Sequence, residues 1–72
     1  MQNKGYTLKI KPEKPTKEQF ELYVEIQMSG ITNMLDIDAV IYLSGNNLTK
    51  ENLFYIYKNY SDLYNEYIEE KF

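Results

Sequence analysis

The residues able to carry chemistry are few, and their spacing does not suit it. Asp36 and Asp38 stand two apart, which on a helix sends their carboxylates in different directions, and Glu69 and Glu70 are direct neighbours. Neither pair converges as a general acid and base must. A calcium-type loop needs several carboxylates on one fixed turn, and Asp36-Ile37-Asp38 is not continued into an Asp-x-Asp-x-Asp-Gly run. The sequence has no Cys, His or Trp, and its 8 basic residues are all Lys. Thiol nucleophiles, imidazole bases, Cys or His zinc sites and disulfides are therefore excluded. Ser29-Gly30 and Ser44-Gly45 read as helix-end punctuation, and no Gly-rich phosphate loop is present. The expectation is a protein that is not an enzyme, with no metal and no cofactor.

Charge narrows the partners. Residues 1–20 carry five Lys against Glu13 and Glu18, a net +3, whereas residues 21–72 carry three Lys against nine acids, a net −6. A basic arm on an acidic body argues against nucleic acid, because phosphate contacts need a basic face. The missing Arg removes the bidentate fork used on guanine edges and phosphates. An acidic body could imitate nucleic acid or meet a basic partner, although solvated charge is also the ordinary way to keep a small domain soluble. Met1 to Lys11 is polar and Lys-bearing, so neither a signal peptide nor a transmembrane helix is expected, and the protein should stay in the cytoplasm.

These residues are positioned by a single small domain. A chain of 72 residues buries only about 60% of the surface its unfolded form exposes, and 8 of its hydrophobic residues are Tyr, whose hydroxyls need partners. Tyr6, Leu8 and Ile10 alternate with Thr7, Lys9 and Lys11, the period of a half-buried strand. No second run offers a hairpin partner. The strand would pair with a second chain, add to a target's sheet, or stay an unformed arm. Pro12 and Pro15 stop it and make residues 1–15 a basic extended arm with a Pro linker, followed by a helical domain over 16–72.

Thr16-Lys17-Glu18-Gln19 is a capping box that opens a helix from Lys17 to about Ser29, with Gly30 left-handed beyond its end. Phe20, Tyr23, Val24, Gln27 and Met28 make one stripe, widened by Leu22 and Ile26, with Glu18, Glu21 and Glu25 opposite. That arc is wider than one neighbouring helix can cover, so this helix is either central or exposes apolar surface to a partner. Asn33 and Asp36 are alternative caps for a short helix reaching Leu43, with Met34, Ile37, Val40, Ile41 and Leu43 or Ser44 inward. Gly45 ends it and Asn46-Asn47 turn the chain. Thr49 caps the last helix, in which Leu53, Ile56, Tyr60, Leu63 and Tyr67 form a two-heptad seam with Tyr57, Tyr64 and Ile68 alongside. A continuous helix over residues 50–70 is expected. Asn59 and Ser61 are weak helix formers, and a break there would give four helices in place of three. Tyr55 projects from the seam beside Glu51 and Asp62, which with Glu66 give the last helix an acidic rim.

The stretch Tyr23-Val-Glu-Ile-Gln-Met-Ser-Gly-Ile-Thr-Asn-Met-Leu-Asp36, then Val40, Leu43-Ser-Gly45, Leu48-Thr49 and Lys58-Asn-Tyr-Ser-Asp-Leu63, resembles small phage and prophage proteins of low-GC Gram-positive bacteria. The likeness covers about residues 18–65, and Ser-Gly-x-Thr-Asn-Met-x-Asp at 29–36 is its most specific part. It implies a context of proteins that act on the host by binding, including inhibitors of bacterial immunity, and it supplies no site residues.

The expected protein is thus a mostly α, three-helix domain with an N-terminal arm, binding a host protein in the host cytoplasm. Contact residues are expected at Tyr6, Leu8 and Ile10 on the arm and at Tyr55, Glu51, Asp62 and Glu66 on the last helix. A homodimer through the N-terminal strand or the helix seam is a further expectation. Other readings are a nucleotide sponge, a virion or replication assembly part, and a helix-turn-helix DNA binder, the last disfavoured by the acidic body.

Overall fold

In the computed structural model, which describes residues 11–69, three α-helices share one core. They are α1 (Lys17–Ser29), α2 (Ile37–Leu43) and α3 (Lys50–Leu63), the last continued by a π-helical turn, Tyr64–Ile68. The domain is small and mostly α. No strand occurs among the described residues, and the strand expected at Tyr6, Leu8 and Ile10 lies outside them.

Local chemistry sets each helix start. The Thr16 hydroxyl accepts from the Gln19 N–H at 3.1 Å, and Gln19 Oε1 accepts from the Thr16 N–H at 2.8 Å, which closes the capping box. At the other end Gly30 takes φ +68° and its N–H reaches the Gln27 carbonyl. Ahead of α2 the alternative caps act in succession. Asn33 Oδ1 takes the Leu35 N–H at 2.9 Å, and Asp36 Oδ1 then takes the Ala39 N–H at 3.2 Å as the true cap. Gly45 and Asn46, both at φ +66°, turn the chain out of α2. The Oγ of the buried Ser44 receives the Leu48 N–H at 3.1 Å. A second capping box opens α3, with the Thr49 hydroxyl on the Asn52 N–H at 3.0 Å and Asn52 Oδ1 on the Thr49 N–H at 3.1 Å.

The core comprises Phe20, Tyr23 and Ile26 of α1, Val40 of α2, Leu48 of the second loop, and Leu53, Ile56 and Leu63 of α3. The α1 stripe is therefore rotated from its expected place, since Ile26 is buried while Gln27 and Met28 are exposed. α2 returns against the Ile26 side of α1, and no described element covers Met28.

The expected straight last helix is bent. Asn59 sits at φ −130°, ψ 28°, outside the helical region. Its side-chain amide donates to the Tyr55 carbonyl at 3.0 Å, satisfying a group that the ladder would otherwise use. The segment beyond the bend runs along α1. Tyr60, beside the bend, donates to Gln27 Oε1 near the end of α1, whereas Tyr67 on the far arm donates to the Pro15 carbonyl ahead of its start. Phe20 consequently lies among Tyr60, Tyr64 and Tyr67, with ring centroids at 5.6, 6.5 and 6.1 Å. Those spacings suit tilted and edge-on aromatic contact.

Residues 13–15, expected as linker, are strapped to the helices. The Glu13 N–H donates to the Glu51 carbonyl at 3.1 Å, its carbonyl accepts from Asn52 Nδ2 at 3.0 Å, and the Pro15 side chain is fully buried.

Candidate protein-binding surface

On a domain this small, large apolar side chains left in water are the informative observation. Met28 is 80% exposed, Ile31 69%, Leu35 72%, Tyr42 80% and Leu43 37%. All five belong to the end of α1, the following loop and α2. Each element is placed by its own cap, so these side chains are presented on fixed backbone and are not carried by a loose tail. Gly30 and the Asn33 turn hold Ile31 and Leu35 outward, and the Asp36 cap fixes the face of α2 on which Tyr42 stands.

Between α1 and α2 the same region forms a groove of about 220 Å³, lined by Leu22, Glu25, Ile26, Ser29, Ile31 and Leu43. Its volume lies below the roughly 300–1,000 Å³ of small-molecule pockets, which fits it for one or two side chains of a partner. A larger hollow of about 470 Å³ is lined by Tyr60, Ser61, Tyr64, Asn65 and Glu69. Those five residues all come from the one continuous segment from Tyr60 to Glu69, with no second element contributing a wall. The α1–α2 groove has two walls from different elements and is the better-formed site.

The electrostatics of this face are one-sided. From Glu18 to Thr49 the sequence has no Lys or Arg, while Glu18, Glu21, Glu25, Asp36 and Asp38 lie within it. All five acids are exposed. Every exposed large apolar residue named above falls inside that stretch.

The contact residues expected from the sequence fall elsewhere. Tyr6, Leu8 and Ile10 lie outside the described residues. Tyr55 is half-buried and packs against the core, where an outward side chain was expected. Glu51 is half-buried, and its carbonyl serves the strap. Asp62 is exposed on α3. Glu66 pairs with Lys14 at 3.0 Å, and the same ammonium stands 5.7 Å from the Tyr67 ring centroid. That contact raises the Lys14 pKa, chiefly through the hydrogen bond to Glu66. The structure therefore brings Glu66 and Tyr67 together with residues 14 and 15, and Tyr55 also lies within electrostatic reach of Lys14. The signal for the exposed face was present in the sequence as the excess width of the α1 apolar arc.

Two tyrosines, Tyr23 and Tyr57, are held in their neutral forms. Burial pushes the Tyr23 hydroxyl up to about 12, and burial followed by the Asp36 charge raises Tyr57, whose hydroxyl donates to the Met34 carbonyl at 2.9 Å. Both are protonated at neutral pH and serve packing and hydrogen bonding. Among the described residues no three Asp or Glu side chains gather where they could hold a metal ion, and no helix is long and apolar enough to cross a membrane. No family model matches the chain, and neither does any curated protein or solved structure.

Proposed function

We propose that this protein works by binding another protein through the α1–α2 face, without catalysis of its own. The observation that carries the reading is the set of exposed apolar side chains, Met28, Ile31, Leu35, Tyr42 and Leu43, around a two-walled groove. Leaving them in water forgoes burial worth about 1.5–3 kcal/mol for each large side chain, a gain that a docked partner recovers. The likeness to phage-encoded proteins makes the natural target a host protein, an immune component being the kind that such small acidic binders block.

The experiment is a pull-down of the tagged chain from a Gram-positive lysate, run beside Ile31→Asp and beside a chain lacking residues 1–12. One protein retained by the wild type and lost with Ile31→Asp supports the reading. Retention by Ile31→Asp but not by the truncated chain would move the contact to the N-terminal arm. Recovery of the bait alone in every case would leave the α1–α2 face without a protein target and count against it.

A further inference from the structure

Resting on that reading, we infer the chemistry of what the α1–α2 groove accepts: a partner segment that presents aliphatic side chains flanked by Lys or Arg. The groove floor sets the first half. Leu22, Ile26, Ile31 and Leu43 offer aliphatic surface, and its 220 Å³ suits a Leu, Ile or Met side chain or two. Tyr42 and Met28, each 80% exposed on the flanking helices, are adaptable or amphipathic surfaces suited to the rim of such a contact.

Charge sets the second half. Glu25 is itself part of the lining, and Glu21 and Glu18 stand on the same helix, one turn and two turns back along its exposed side. Asp36 and Asp38 begin the helix that forms the opposite wall. From Glu18 to Thr49 the sequence holds five acids and no Lys or Arg, the flanking cations being Lys17 at the start of α1 and Lys50 at the start of α3. A basic segment would meet Glu25 in the lining and Glu21 and Glu18 behind it, with Asp36 and Asp38 at the far end of α2 adding the same sign of charge, which favours encounter and rejects acidic partners.

The same charges weigh against a second copy of this chain. A two-fold contact would set Glu25 and its neighbours against their own counterparts, and like charges across an interface cost affinity. They also disfavour an anionic membrane or a nucleic acid on this face.

The test is selection of a random peptide library on the full chain, with selected peptides re-measured against Ile31→Asp and against the Glu21→Lys, Glu25→Lys double variant. All three substituted residues are exposed, and circular dichroism checks that each variant keeps its fold. The inference expects selected peptides enriched in Lys or Arg beside Leu, Ile or Met. Ile31→Asp should abolish their binding, and the double variant should weaken it by roughly tenfold or more, with a matching loss at high salt. Neutral or acidic peptides that still depend on Ile31 would overturn the basic-partner inference and leave the protein-binding reading standing. Absence of any Ile31-dependent peptide would overturn both. A dimer in sedimentation that Ile31→Asp dissociates would assign the groove to a second copy and also overturn it.

Discussion

The side-chain amide of Gln19 donates to Asn52 Oδ1 at 3.2 Å, so the capping box that opens α1 is joined to the one that opens α3. Each residue is the third helical residue of its own helix, and each already closes its own box. Asn52 is almost fully buried, and its Nδ2 donates to the Glu13 carbonyl. One amide thus holds two helix starts and the strap together. Gln19 adds a second bond to the Asn47 carbonyl at 2.8 Å, fixing the loop that leads into α3.

Asn52→Ala should therefore cost far more than an ordinary cap residue, about 2–3 kcal/mol, because it removes at once the partner of groups in three segments, Gln19, Thr49 and Glu13. A domain of this size holds only roughly 4–10 kcal/mol in all, so the urea midpoint should fall by a large fraction. Gln19→Ala and Asn52→Ala together should lose less than the sum of the two, by about 0.5–1.5 kcal/mol. Simple additivity would mean that the joint contributes nothing.

Asn59 gives a test whose sign decides the matter. Ala is the better helix former by up to about 0.7 kcal/mol, so at an incidental kink Asn59→Ala would stabilise the protein. Here the bend aims the segment that follows it, from which Tyr60 and Tyr67 meet the two ends of α1 and three tyrosines surround Phe20. We expect Asn59→Ala to destabilise by about 1 kcal/mol and to alter the near-ultraviolet signal of the tyrosines. A rise in the unfolding midpoint would contradict this account of the bend.

What could be read from the sequence was whatever depends on neighbours within four residues. Thr16 with Gln19, Gly30, Asp36 and Thr49 all act where expected, because a cap is decided by a side chain and the backbone beside it. The partners of Asn52 lie 33 and 39 residues away in Gln19 and Glu13, and no local pattern announces them. The bend was visible as an alternative, in Asn59 and Ser61, but the choice depended on whether Phe20 lay within reach. The binding face was half visible. The α1 arc was too wide for one neighbour, yet which edge of it stays bare depends on where α2 returns, and it returns against Ile26 and leaves Met28 in water. Tyr55 was placed outward by helical geometry alone, which does not include the packing that half-buries it.

Alkaline stability should report on Tyr23. Its hydroxyl is raised by burial to about 12 from the ordinary 10, so the folded state holds this proton more tightly than the unfolded chain does. The sign follows from linkage. The stabilisation is fully present below pH 10 and is lost as pH rises towards 12, where unfolding is favoured by ionisation. Thermal midpoints measured from pH 9 to 12 should fall, and Tyr23→Phe should make that fall shallower. An unchanged slope in Tyr23→Phe would place the alkaline sensitivity elsewhere, Tyr57 being the next group raised by burial.

The strap offers two contacts of different worth. Lys14 and Glu66 are both about half exposed, at 46% and 50% of their side chains, so solvent screens the pair. Lys14→Ala should leave the urea midpoint unchanged within error. Tyr67 instead donates to the carbonyl of the buried Pro15 and touches Phe20. Tyr67→Phe keeps the ring and removes only the donor, for a cost of about 1 kcal/mol. The opposite ranking would show that the ion pair, and not the hydroxyl, fastens residues 13–15.

Stability and binding should separate cleanly on the α1–α2 face. Ile31 lies beyond Gly30 at 69% exposure, so Ile31→Asp forfeits little buried surface and should change stability by no more than about 0.5 kcal/mol. Val40 is fully buried on the inner side of α2, and Val40→Ala should cost about 1–3 kcal/mol through the cavity it leaves. If the outer face exists for a partner, the two variants will order oppositely in the two assays: Ile31→Asp folded but unable to bind, Val40→Ala weakened in urea but still binding where it is folded. A large stability loss in Ile31→Asp would mean instead that this residue belongs to the core of the domain, and the surface would lose the feature that marks it.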